Sequence, residues 1–316
     1  MRLKLIMITL LTSVAFNSLA SAEYIFTPEK VSTDISLGTL SGKTKERVYE
    51  PDEGGRKVSQ LDWKYSNTVI LKGGINWELM PWVSIGASGW TTLDSRNGNM
   101  IDRDWMEPGN PGTWTDVSRH PNTRLNYANE FDLNVKGWFL NEPYYRLGFM
   151  VGYQESRYSF TARGGTYIYS SKEGFRDYIG AFPDGERAIG YKQRFKMPYI
   201  GLTGSYRYDD FEFGGTFKYS GWGESTDNDE HYAPEKRITY RDKIKKQNYY
   251  SVAVNAGYYV TPHAKIYVEG TWNRVTNKKG DDSLYDRNEN TFGYGKNGAG
   301  IENYNFLTTA GLKYYF

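Results

Sequence analysis

Cysteine is absent from the 316 residues, and histidine occurs only three times. The first absence excludes a disulfide framework, a cysteine nucleophile and any thiolate metal site. The second leaves too few imidazoles for a histidine-built metal centre, and no HExxH pattern occurs, so no metal site is expected. Long hydrophobic runs are missing too. Beyond the amino end, no apolar stretch approaches the roughly 18 residues that a transmembrane helix needs. A surplus of either charge is also lacking, with 39 basic against 37 acidic residues. Setting aside Arg2 and Lys4 of the amino end leaves 37 of each sign. A nucleic-acid protein needs a basic excess, and none is present.

What is abundant is aromatic. The chain has 28 Tyr, 15 Phe and 9 Trp, yet its mean hydropathy is −0.68. Many aromatics on a polar chain suit a membrane β-barrel with aromatic girdles and a polar lumen. At the amino end, basic Arg2 and Lys4 precede a mostly apolar stretch from Leu5 to Phe16. Ser18-Leu19-Ala20-Ser21-Ala22 then offers cleavage after Ala20 or Ala22. Residues 1–22 read as an export signal, and residues 23–316 as one barrel domain.

The remainder alternates with period two. Phe131, Leu133 and Val135 share one face, and Asp132, Asn134 and Lys136 the other. Phe211, Phe213 and Phe217 oppose Glu212, Thr216 and Lys218, and Ile266, Val268 and Trp272 oppose Lys265, Glu269 and Asn273. Successive strand side chains point to opposite faces, so each segment lies between two different solvents. The polar face carries both signs, as a wet or salt-bridged lumen would. Phe306, Ala310, Leu312, Tyr314 and Phe316 share parity up to the last residue, a pattern resembling barrels exported to a Gram-negative outer membrane.

Short turns fall at Leu79-Met80-Pro81, Asn141-Glu142-Pro143, Tyr208-Asp209-Asp210 and Thr261-Pro262-His263. Longer polar, Gly-rich stretches near 50–57, 98–123, 164–188, 224–243 and 277–299 read as outer loops. Their alternation requires ten antiparallel strands, an even number as bacterial barrels have. Segments longer than the roughly 10 residues that cross hydrocarbon predict a barrel projecting above the membrane.

Two same-face pairs stand out near the loops. Asp102 and Asp104 flank Arg103, and Asp229 and His231 flank Glu230. Two close carboxylates do not both ionise cheaply. A carboxylate beside a histidine fixes its tautomer and stabilises its charged form. Together they suit activation of water and protonation of a leaving amine, although short acidic motifs in polar loops are more often solvated charge. By parity Asp102 and Asp104 face the lumen with Ser84 and Ser88. Asp229 and His231 share the parity of lipid-facing Phe217, so a bulge near Gly221-Trp222-Gly223 is required.

The segments Leu40-Ser41-Gly42-Lys43-Thr44-Lys45-Glu46-Arg47, Asp102-Arg103-Asp104-Trp105, Tyr153-Gln154-Glu155-Ser156-Arg157-Tyr158 and Asp227-Asn228-Asp229-Glu230-His231-Tyr232 resemble the omptins, outer-membrane endopeptidases of enteric bacteria. The resemblance runs through essentially the whole mature chain. It implies a ten-stranded transmembrane barrel with an outward-facing groove that cleaves at paired basic residues. Asp229 and His231 then resemble the dyad, and Asp102 and Asp104 the facing carboxylate pair with a water nucleophile between. Glu46 and Asp227 resemble the acids that receive a basic side chain, and the substrates implied are cationic peptides, including antimicrobial ones. Ser118 and His120 match positions near the groove and read as bystanders or substrate contacts. His263 lies in a short turn and reads as structural.

On the outer face, Leu147, Phe149 and Val151 face lipid, and Tyr153, Glu155 and Arg157 continue that face upward; on the next strand Arg194 and Lys196 do the same. Charges on a lipid-side stripe must lie above the hydrocarbon, where lipopolysaccharide phosphates suit arginine. The family resemblance likewise implies lipopolysaccharide, as a lipid activator rather than a cofactor, at Tyr153, Glu155, Arg157, Arg194 and Lys245. Lys245 has the wrong parity relative to Val252 unless a bulge intervenes. Two other readings fit the barrel pattern: a non-enzymatic adhesin or small pore, and an acyl-modifying enzyme using Ser118 with a histidine.

Overall fold

The structure, a computed structural model, describes residues 30–94, 96–233 and 237–316. The export signal read at 1–22 lies outside them, as does Lys236 of the dibasic pair Lys236-Arg237. Twelve strand segments follow in order: β1 (Val31–Glu50), β2 (Arg56–Met80), β3 (Val83–Thr92), β4 (Arg96–Asp104), β5 (Asp116–Asn141), β6 (Tyr145–Tyr169), β7 (Tyr178–Tyr208), β8 (Phe211–His231), β9 (Ile238–Thr261), β10 (Ala264–Val275), β11 (Lys279–Asp286) and β12 (Thr291–Tyr315). All pair antiparallel, and β1 pairs with both β2 and β12, which closes the sheet. β3 and β4 both lie between β2 and β5, and β10 and β11 both lie between β9 and β12. The twelve segments are therefore ten staves, two of them interrupted.

The four short turns stand where the sequence puts them. Of the five long loops, the one near 50–57 stands between β1 and β2 as read, and the other four are much shorter than the sequence suggests. β8 runs unbroken to His231, β9 starts at Ile238, and β7 starts at Tyr178. Much of the polar, Gly-rich sequence read as loop is strand that has left the membrane. Its outward side chains meet water, so they are polar, and composition alone makes them resemble loop.

The sense of the alternation inverts along each stave. On β7, Ile200 and Leu202 point outward near the membrane, while higher up Lys192 and Arg194 point outward and Tyr191 and Phe195 are buried inside. Near the short turns the lumen is polar and ion-paired: Lys218 meets Asp132 at 2.6 Å, Lys265 meets Glu212 at 2.5 Å, and Lys72 pairs with Glu269. These charges line a lumenal cavity of about 280 Å³. Above it the lumen is filled by an apolar plug that the salt-bridged-lumen reading did not foresee. Trp63 stacks on Tyr191 at 5.3 Å and packs on Phe160 at 5.5 Å, with Leu40, Met100, Phe195 and Ile244 around them. This plug is the floor on which the upper side chains stand, and it obstructs a pore.

Candidate active site

The barrel mouth collects its chemistry from four staves. On β1, Thr44 and Glu46 point inward and are fully buried, while Lys45 and Arg47 point outward. On β4, Asp102 and Asp104 continue the inward face of Met100, which is part of the plug. Asp102 lies opposite Leu61 of β2 and Ser118 of β5, and Ser59 Oγ donates to it at 3.3 Å.

β8 supplies the opposite wall, and its bulge decides the matter. Phe217 and Trp222 point outward, whereas Gly223, Ser225, Asp227 and Asp229 are buried. The parity changes because β8 carries one extra residue against β9 between Ser220 and Gly223. β9 compensates at Lys246, whose φ is +54°. That second bulge turns Lys245 outward and Ile244 inward, as the outer-face reading of Lys245 requires. A Cβ on Gly223 would strike Met197 Sδ and the Gln247 carbonyl, so the bulge needs a glycine there.

Above the bulge, Asp229 lies between Tyr191 of β7 and Tyr240 of β9. His231 Nε2 meets Asp229 Oδ2 at 2.9 Å. With that nitrogen donating, Nδ1 is left as the free base. The two walls converge at Tyr240. Its ring is 5.5 Å from that of His231, and burial, then Asp229, Glu46, Asp104 and Asp102, all push its hydroxyl upward. All four carboxylates therefore act on one hydroxyl group.

Beside the dyad is a nest of acids. Glu46, Asp227 and Asp242 are buried and each bring a carboxylate oxygen within 4.8 Å of the others. Tyr191 Oη donates to Asp227 at 2.8 Å and the Asp242 amide donates to it at 3.1 Å. Glu46 Oε2 is buried without a partner. Burial first, then the neighbouring carboxylates, raises all three; Asp227 is pushed up to about 7. Such a nest takes a cation, either a metal ion or a basic side chain.

Ser118 and His120 form a second pair. Ser118 Oγ and His120 Nε2 are 2.9 Å apart, and His120 Nδ1 reaches the Gly164 carbonyl at 2.5 Å. Both are almost fully buried, and burial lowers the imidazole's pKa. His231, by contrast, keeps 13% of its side chain exposed. His263 is exposed in its turn, with Nδ1 3.2 Å from the Tyr315 carbonyl.

On the outer face, Glu155 is buried beneath Arg157 and Arg194, which lie opposite each other. Arg194 holds both carboxylate oxygens at 2.8 Å, Arg157 holds one at 2.8 Å, and Tyr153 Oη donates at 3.2 Å. Lys245 lies opposite Glu224, which pairs with Lys196 at 3.6 Å and Lys243 at 3.3 Å. The five outer-face residues named from the sequence thus share one surface.

Comparison with known proteins places the chain. The omptin family model matches residues 27–316. The chain belongs to the omptin family. It is 77% identical to Protease 7 of Escherichia coli (strain K12) over 317 residues, covering 100% of both, and 47% identical to the plasminogen activator of Yersinia pestis, covering 98% of this chain and 97% of that one. The crystal structure of outer membrane protease OmpT from Escherichia coli superposes with a TM-score of 0.90 at 77% identity, covering 95% of this omptin and 100% of that chain. This omptin is therefore an outer-membrane protease of a Gram-negative bacterium, and the adhesin or pore reading falls.

Tyr240 and Asp242 were missed in the sequence. Both are visible only once β9 is registered against β8, which needs the two bulges to be placed.

Proposed function

We infer that this omptin cleaves peptide bonds between paired basic residues, using a water molecule activated by His231. The observation that carries the reading is the Asp229–His231 hydrogen bond at the mouth, facing Asp102 and Asp104 and adjoining the buried acid nest. Asp229 fixes the tautomer of His231 and stabilises its charged form. Nδ1 removes a proton from water held against Asp102 and Asp104. The hydroxide adds to the scissile carbonyl, and Nδ1–H then passes its proton to the departing amine. Glu46 and Asp227 receive the basic side chain before the bond, and acids around the groove draw in cationic peptides.

The Ser118–His120 pair has the spacing of a nucleophile and its base. Its buried imidazole has a backbone carbonyl rather than a carboxylate beside it, so its charged form is less stabilised than that of His231 beside Asp229, which supports water rather than serine as the attacking group. Lipopolysaccharide phosphates would bind Arg157 and Arg194, with Tyr153, Glu155 and Lys245 shaping the surface. Glu155 orients the two guanidinium groups and leaves the cluster net positive.

The test is cleavage of a quenched Arg-Arg peptide by refolded protein with and without lipopolysaccharide. Cleavage between the arginines, strongest with lipopolysaccharide and absent for a peptide with glutamines in their place, is expected. Equal cleavage of the glutamine peptide would refute the specificity.

A further inference from the structure

The barrel carries a second outward basic surface, on the far side from Glu155. It spans β10, β12, β1, β2 and β4, whereas the Glu155 surface spans β6 to β9. Its centre is Glu302, whose side chain is 10% exposed beneath three cations. Arg47 Nη2 reaches it at 2.5 Å, Arg274 at 3.7 Å and Lys45 at 3.8 Å. On the same register row, across β1 from Glu302, Asp62 of β2 is held by Lys43 at 2.8 Å and Arg103 at 3.7 Å. Five cations thus share two carboxylates, leaving a net charge of +3 on one face.

The height of this surface matters. Below Glu302 on the same outward face come Tyr304 and Phe306, and below Arg274 comes Trp272, all exposed. The basic surface therefore begins directly above the aromatic girdle, where lipid phosphates lie. A soluble anion would need no such placement. The arginines are also pre-oriented: Arg47 donates to Glu302 at 2.5 Å and to Gln60 at 3.3 Å. Lys57, nearby, is lowered by burial first and then by Arg47, with Lys45 and Arg103 adding to this and Asp62 opposing it.

We propose that this face is a second binding site for a phosphorylated lipid headgroup of the outer leaflet, independent of the Glu155 surface. Its residues alternate with the active-site acids on the same strands. Lys45 and Arg47 flank Glu46, and Arg103 lies between Asp102 and Asp104. A phosphate on this face holds the β1 and β4 wall of the groove, just as one at Arg194 would hold the β7 and β8 wall. Lipid would thus grip both walls.

Native mass spectrometry of the full refolded chain in detergent tests the idea, with purified bis-phosphorylated lipid A as the probe. Two lipids should bind the wild type. Lys45→Gln with Arg47→Gln and Arg274→Gln should leave one, with the second weakened on the order of 100-fold for three lost surface cations. Arg157→Gln with Arg194→Gln should remove the other lipid. Failure of that second variant alone would sink the Glu155 reading and leave this proposal standing. Arg274 is half-exposed on the surface, so Arg274→Gln keeps the fold and should by itself weaken the second lipid severalfold. A wild-type lipid count that is unchanged in the triple variant, or displacement of the lipid it loses by inorganic phosphate alone, would overturn the proposal.

Discussion

Replacing Asp242 by asparagine removes one of three clustered carboxylates while keeping its shape. The acid oxygens lie within 4.8 Å of one another. At an effective dielectric near 20, one unit charge at that distance acts on its neighbour with about 3.5 kcal/mol. At 1.36 kcal/mol per pKa unit, that is an upper limit of roughly 2.5 units. The groups facing Asp227 are Glu46 from β1, Asp229 on its own strand, Asp242 from β9 and the Tyr191 hydroxyl from β7. Asp227 is pushed up to about 7, so it is largely neutral below that pH and charged above it. A basic substrate side chain binds the charged form. kcat/KM for an Arg-Arg peptide should therefore rise with pH through about 7, and Asp242→Asn, by removing a charge that raises Glu46, should move that rise to lower pH. Asp227→Asn, by removing the titrating group, separates this limb from titration of His231. The sign for stability runs the other way. A raised folded pKa favours the fold below the ordinary carboxylate range, and that contribution is lost as pH rises through about 7. Asp242→Asn should thus stabilise the barrel at pH 8 while weakening substrate capture. An unchanged kcat/KM midpoint in Asp242→Asn would refute the shared-charge account of the nest.

Deleting Trp222 removes the extra residue of β8 and turns every side chain above it to the other face. The barrel below should still insert and resist heat on a gel, while peptide cleavage is lost. Arg157→Ala with Arg194→Ala should lower activation by lipopolysaccharide while the protein folds normally in detergent, measured as rate against lipopolysaccharide concentration. Trp63→Ala should cost about 3–5 kcal/mol of stability, as large-to-small changes in packed cores do, read from denaturant unfolding in detergent. The Lys236–Arg237 bond is itself dibasic, so concentrated, activated protein should nick there slowly. Mass spectrometry should find the nick at a rate that rises with concentration and find none in His231→Ala.

The barrel was legible because membrane and lumen impose opposite demands on successive residues. Phe131 to Lys136 or Phe211 to Lys218 suffices to read a strand and its two faces. The reading weakened above the membrane, where outward residues such as Lys192 and Arg194 meet water and inward ones such as Tyr191 and Phe195 form the plug. There the period survives but its sense reverses, so strand was taken for loop. Asp102 and Asp104 were placed inward by parity, since the upper part of β4 does not change face below them. Asp229, His231 and Lys245 were not, because one extra residue at Gly221-Trp222 and one at Lys246 invert everything beyond. Family likeness named those residues, and only the pairing of β8 with β9 shows why they face as they do. Tyr240 and Asp242 carry no local signal, since their importance comes from sitting opposite Asp229 and Asp227.

The central claim is that water activated by His231, rather than the Ser118 hydroxyl, attacks the peptide. The decisive measurement is kcat/KM for a quenched Arg-Arg peptide with Ser118→Ala and His231→Ala side by side, both folded and saturated with lipopolysaccharide. Loss of a general base typically costs about 10²–10⁴-fold. The account predicts a loss of that size for His231→Ala and activity within about tenfold of wild type for Ser118→Ala. An equally deep loss in Ser118→Ala, with an acyl group recovered on Ser118 of the wild type during turnover, would contradict it.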